Sequence, residues 1–186
     1  MTTPKKIAES YEKRFQMWFA RPFEFLRHKK EVAGEWDGGY IAIAIGCMLC
    51  ERYFRAKTNT EKPLERIGSK KKKNKGYNQK FRSEAAKNLG ISKTKFDMFW
   101  IIYRHGVQHQ GMPRKVFRKQ AGKTVIYQAW ISEDFTDVPV EEEKGDVILV
   151  KISPWKFAKR MIDLFTNDLP ALEVGFHHAF ADRYQG

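Results

Sequence analysis

Tyr40-Ile41-Ala42-Ile43-Ala44-Ile45-Gly46-Cys47-Met48-Leu49-Cys50 is the most apolar window of the chain. It continues without a breaker to about Lys57, and the spacing predicts a helix that is apolar nearly all round. Such a helix lies in the middle of a core. The window is far shorter than the roughly 20 apolar residues a bilayer crossing requires, so no membrane partner is expected. The fold therefore has to be built around a central helix.

On the N-terminal side, Ile7, Tyr11, Phe15, Trp18, Phe19, Phe23 and Leu26 recur at steps of three and four within residues 4–30. That is the stripe of a helix lying on a core, with Pro22 expected to kink it. Gly34 to Gly39 is turn-rich. On the other side, residues 58–80 hold Pro63, Gly68 and Gly76 around Lys70-Lys71-Lys72-Lys73-Asn74-Lys75. Like charges in a block repel, so residues 58–78 are read as a flexible basic loop, either a solvated connector or a grip on phosphate. A short polar helix is expected from Asn78 to Asn88, stopping at Gly90. Ser92 is a good N-cap for the next helix, whose apolar face is Phe96, Phe99, Trp100, Tyr103 and Val107 and whose limit is Pro113.

From residue 115 to 152 the composition turns to Val, Ile, Tyr and Trp. Strands are predicted at Val116 to Lys119, Thr124 to Ile131 and Asp146 to Ile152, with a turn at Gly122-Lys123 and Glu141 to Gly145 as a separator. These are read as a small antiparallel sheet. Ser153-Pro154 then opens a helix faced by Trp155, Phe157, Ala158, Met161, Ile162 and Phe165. A short helical turn is expected near Phe176 to Tyr184. The expectation is one domain over residues 1–186, mainly α, with a β-rich insertion at 115–152.

Thirty-five Lys and Arg oppose twenty-two Asp and Glu, a formal net charge of +13 in 186 residues. An excess of that size is the footprint of a protein that meets a polyanion. With 42% hydrophobic and 14% aromatic residues the chain can build a core. Two cysteines, Cys47 and Cys50, both inside the apolar window, exclude a disulfide framework and suit a reducing compartment. No secretion signal is visible at Met1 to Lys6, so the cytoplasm is the expected location.

The candidate site is Arg104-His105-Gly106-Val107-Gln108-His109-Gln110-Gly111, which closes an aromatic-rich helix with a permanent cation and two imidazoles. Arg104 offers a rigid fork for phosphate oxygens, and His109 can donate or accept a proton near neutral pH. The phrase Arg-His-Gly-x-x-His-Gln-Gly, an Arg-x4-His pattern after an amphipathic helix, resembles the catalytic motif of the HEPN superfamily. Active members of that superfamily are metal-independent RNases. The resemblance covers about residues 5–112 and 154–186 and implies a helical bundle, an isologous homodimer with both motifs at its interface, and a 2′,3′-cyclic phosphate product. It implies no cofactor and no metal. Toxin or phage-defence activity, with a small acidic antitoxin as partner, is one setting it allows, and RNA processing is another.

Cleaving RNA without a metal requires a base for the 2′-hydroxyl, an acid for the leaving 5′-oxygen and a cation for the phosphoryl oxygens. Arg104 and His109 are the expected catalytic pair, with His105 in support. Glu51 could orient Arg104 if its helix packs against the motif helix; otherwise it pairs with Arg55 on the surface. Lys70, Lys71, Lys72, Lys73, Lys75, Gln108, Arg114 and Lys115 are the candidate RNA contacts. Other readings stay open. Arg104 and His109 could simply cap a helix end, the charge could serve non-catalytic nucleic-acid binding, or His105 and His109 with Cys47, Cys50, His177 and His178 could form the metal site of a hydrolase. Ala121-Gly122-Lys123-Thr124 lacks the first glycine of a phosphate loop, where Phe117 stands. Trp130 and Tyr127 could stack bases, but packing is the commoner use of such residues in a sheet.

Overall fold

The computed structural model describes residues 9, 12–33, 38–58, 60 and 72–180, without the side chains of 30–33, 72–77, 108–109 and 169–180. Helix α1 (Arg21–Ala33) is entered through a π-helical stretch, Gln16–Ala20, closed by Arg21 N–H donating to the Gln16 carbonyl. The wider turn sits just before Pro22. That ring has no N–H and crowds the carbonyl four residues back, so the expected kink takes the form of a local widening.

The apolar window forms α2 (Gly39–Lys57). Ala42, Ile43, Cys47, Leu49, Cys50, Tyr53 and Phe54 are buried on one side, but Tyr40, Ile41 and Met48 on the other are exposed, so the helix is a wall of the core and is not enclosed all round as expected. Its main packing partner is α6 (Pro154–Phe180), a single long helix that continues as far as Phe180, where only a short separate turn near Phe176 to Tyr184 is expected from the sequence. The two helices meet closely at Gly46, where an added Cβ would fall 2.6 Å from the Phe157 ring and 3.2 Å from the Ala158 Cα. In the sequence α3 (Lys72–Asn88) and α4 (Lys93–Phe99) come between them. Ser92 caps α4 by accepting from Lys95 N–H at 3.3 Å, and Gly90 takes the left-handed conformation that stops α3. Helix α3 begins inside the lysine run, earlier than the expected start at Asn78. Its buried residues Phe81, Ala85, Ala86 and Leu89 dock it on the core, and tertiary packing of that face outweighs like-charge repulsion at the other end.

Helix α4 passes without a break through a π-helical stretch, Trp100–His105, into the short α5 (Gly106–Gln110), which ends at the left-handed Gly111. The sheet follows: β1 (Val116–Gln120), β2 (Lys123–Ile131), β3 (Val140–Lys144) and β4 (Val147–Ile152). Ala121 and Gly122 both have positive φ, as a tight primed hairpin turn demands.

Three expectations are corrected here. The sheet is mixed, in the order β1-β2-β4-β3, with β2 parallel to β4 and the other pairs antiparallel. Val147-Ile148-Leu149-Val150 is a continuous apolar run that claims a central position, so its hairpin partner β3 is pushed to the edge. Glu141-Glu142-Glu143, read from sequence as a separator, is that edge strand; charge is tolerated there. The mainly α, HEPN-like bundle with an appended insertion also gives way to a mixed α/β architecture. Tyr127, Ile148, Val150 and Ile152 join the same core as the helices, so the sheet is a structural wall of the domain. No helix among the described residues is long and apolar enough to cross a membrane.

Candidate functional site

Arg104 lies in the π-helical stretch and reaches across to α2. Its Nη2 and Nε donate to Glu51 Oε2 at 2.9 and 3.2 Å. The other carboxylate oxygen of Glu51 accepts from Arg55 Nε at 2.8 Å. One carboxylate thus holds two guanidiniums, and the two alternatives for Glu51 are both realised. Arg55 is spent on structure: it also donates to Asn78 Oδ1 at 2.7 Å and lies 4.3 Å from the centre of the Phe81 ring. Arg104 rests near the Trp100 ring, and at 21% exposure its side chain is still reached by solvent. Burial alone would raise the Glu51 pKa. The hydrogen bond from Arg55 and the charge of Arg104 outweigh it, and the carboxyl stays below its ordinary value.

The chain around Arg104 is fixed by unusual means. Tyr103, one residue earlier, is buried and sends its hydroxyl between two strands, donating to the Val150 carbonyl at 2.6 Å and accepting from Trp130 N–H at 3.1 Å. Arg114 Nε donates to the Ile101 carbonyl at 3.1 Å, and Arg114 N–H donates to the Ile102 carbonyl at 3.2 Å. A widened helical turn leaves carbonyls in need of donors, and the returning chain supplies them. Gly106 is what lets that return happen. A Cβ there would lie 2.7 Å from Arg114 N, 2.8 Å from Met112 O and 2.9 Å from Pro113 Cα. The glycine of the Arg-His-Gly phrase is therefore demanded by packing.

No family, curated protein or solved structure matches this chain.

The remaining sequence candidates are distributed as follows. Glu51 and Arg104 come together, and His105 is half-buried beside them in the chain. His109 and Gln108 fall on α5, with side chains outside the described residues. Arg114 faces the motif helix as a donor to its carbonyls, while Lys115 is exposed at the start of the sheet. Lys72, Lys73 and Lys75 stand on the first turns of α3; Lys70 and Lys71 lie outside the described residues. Cys47 and Cys50 are buried in the core, where desolvation pushes both thiols up. Among the described residues no group of three or more His, Cys, Asp or Glu side chains gathers as a metal site would require.

Sequence reasoning missed Tyr103 and Arg114 as the groups that set the Arg104 backbone. Nothing in the linear pattern marks a π-helical turn, so its orphan carbonyls could not be foreseen. Tyr127 is in the core as expected, but Trp130 is not: it stands 47% exposed on the opposite face of the sheet.

Proposed function

We propose that the protein binds RNA and cuts it without a metal, Arg104 stabilising charge on the phosphoryl oxygens and His109 transferring protons. The observation that carries this reading is the Arg104 guanidinium, oriented by an ionised Glu51 from within a π-helical turn and still open to solvent, in a chain of net charge +13. A pre-oriented cation costs little reorganisation when phosphoryl charge develops, which is the source of its catalytic value. The Arg-x4-His phrase, with its likeness to the HEPN motif, supports the same assignment. In the step itself the 2′-oxygen loses its proton and bonds to phosphorus, the bond to the 5′-oxygen breaks, and that oxygen takes a proton. The products are a 2′,3′-cyclic phosphate and a 5′-hydroxyl.

One chain offers His109 as a single proton carrier, whereas two copies about a two-fold axis would offer a base and an acid. Tyr40, Ile41 and Met48 are exposed on the face of α2 that continues at helical spacing through Glu51, and they suit such a contact. The cytoplasm, and a toxin or defence setting with an acidic antitoxin, belong to the same proposal.

A second reading is favoured by the Glu51 ion pair itself: a cation already neutralised in part is suited to holding structure, leaving the net charge to bind nucleic acid without chemistry. Incubating RNA with the wild type and with His109→Ala, both in EDTA, separates the two. Cyclic phosphate ends from the wild type and none from the variant are expected. Equal cleavage by both would overturn the catalytic assignment, and salt-sensitive binding with no products would establish the second reading.

A further inference from the structure

The sheet has one face in the core and one in solvent. Pairing register assigns Val116, Tyr127, Ala129, Ile131, Ile148, Val150 and Ile152 to the core side, since paired residues share a face and successive residues alternate. The outer face then carries Phe117 and Lys119 on β1, Ile126, Gln128 and Trp130 on β2, Leu149 and Lys151 on β4, and Glu142 and Lys144 on β3. Phe117 is 64% exposed and Trp130 47%. Two large aromatic rings standing in water on one sheet face are an expense that packing does not explain.

Charge on this face is graded. Lys144 and Lys151 both pair with Glu142, and the Lys144 ammonium lies 5.6 Å from the centre of the Trp130 ring. That contact spans from β3 to β2 over Leu149, which is 4% exposed although it points outward. Lys144 therefore approaches Trp130 from the β3 side. Among the described residues the indole makes no further ring or cation contact. Toward β1 and β2 the carboxylates vanish: from Met98 to Ser132 there is no Asp or Glu, and the outer face there carries Lys119, with Lys115 exposed just before β1, while the register turns Arg118 and Lys123 to the other face.

We propose that single-stranded RNA lies across the outer face of β1 and β2, with bases stacked on Phe117 and Trp130 and phosphates met by Lys119 and Lys115. Phe117 is opposite Ile126, and Trp130 is four positions further along β2. At about 3.3 Å per residue and about 4.8 Å between strands, the two anchor points are roughly 14 Å apart, which a few nucleotides of extended strand bridge. Every base has a stacking face, so aromatic rings on a cationic surface hold single strands with little regard to sequence. A duplex hides those faces. A second copy of the chain would bring lysines against lysines, and an anionic strand with exposed bases matches both features. The choice of RNA rests on the reading of the Arg104 site; the platform itself does not depend on cleavage.

The test is binding of a short 2′-O-methyl oligouridylate, which cannot cyclise, and of a duplex RNA of the same length, to the wild type and to Phe117→Ala/Trp130→Ala. Both rings are exposed, so the variant should keep the wild-type thermal midpoint. Single-strand affinity should fall roughly ten-fold or more, with duplex affinity and the salt slope unchanged, and Trp130→Phe should restore most of the loss. Lys119→Glu should instead reduce the salt slope. Wild-type affinity in the double variant, or equal losses for single strand and duplex, overturns the platform. The two proposals fail separately: an unaffected double variant leaves cleavage by His109 standing, and a weakened one supports the platform even where the wild type cuts nothing.

Discussion

Replacing Glu51 by Gln removes one charge and keeps an acceptor of nearly the same shape, so it isolates what the carboxylate does for Arg104 and Arg55. The Glu51 and Arg104 side chains are each 21% exposed and Arg55 is 15% exposed. Breaking a fully buried pair costs about 3–5 kcal/mol. Discounting that for partial solvation leaves about 2 kcal/mol, and in a chain of this size that lowers the melting midpoint by about 4–8 °C near neutral pH. The sign of the pH dependence follows from the depressed carboxyl pKa. The stabilisation is complete above the unfolded glutamate value of about 4.3 and is lost as pH falls through the lower folded value. Thermal melts of both proteins should show a steady gap from neutral pH to about pH 5, closing in more acid solution as the wild type gains its proton. Coincident melts at pH 7, or a gap that persists undiminished at low pH, would refute the bridging role. Cleavage, if it depends on an oriented Arg104, should fall in kcat more than it rises in KM.

Two further outcomes follow from the packing. Gly106→Ala should destabilise by about 2–4 kcal/mol in denaturant titration, because its Cβ meets backbone atoms of Met112, Pro113 and Arg114 that have no rotamer to yield. Cys47 and Cys50, buried with thiol pKa values pushed up, should react with a thiol reagent only at the rate of global opening, and reaction at the rate of an exposed thiol would contradict the packing of α2.

Much of this was legible wherever one local signal sufficed. The apolar window specified a core helix, though not that one of its faces stays exposed, Ser92 and Ser153-Pro154 marked helix starts, and the Val- and Ile-rich runs marked three strands. What stayed hidden was relational. The pattern Glu141-Glu142-Glu143 is no strand by composition; it becomes one because Ile148 and Val150 beside it need a partner. Parallel pairing of β2 and β4 depends on which strand takes the centre, which no single segment declares. The meeting of Glu51 and Arg104 was foreseeable only as a condition on helix packing. The helix within the lysine run was obscured because Phe81 and Ala85, further along, decide its fate.

The pairing of α2 with α6 has a consequence during synthesis. The face of α2 that closes on α6 has no mate until residues beyond Pro154 have left the ribosome, since the chain between builds α3, the motif helix and the sheet first. Long-range closure of this kind is slow and leaves apolar surface open to aggregation. The nascent protein should therefore carry that face uncovered through most of its translation, until Phe157 arrives at Gly46.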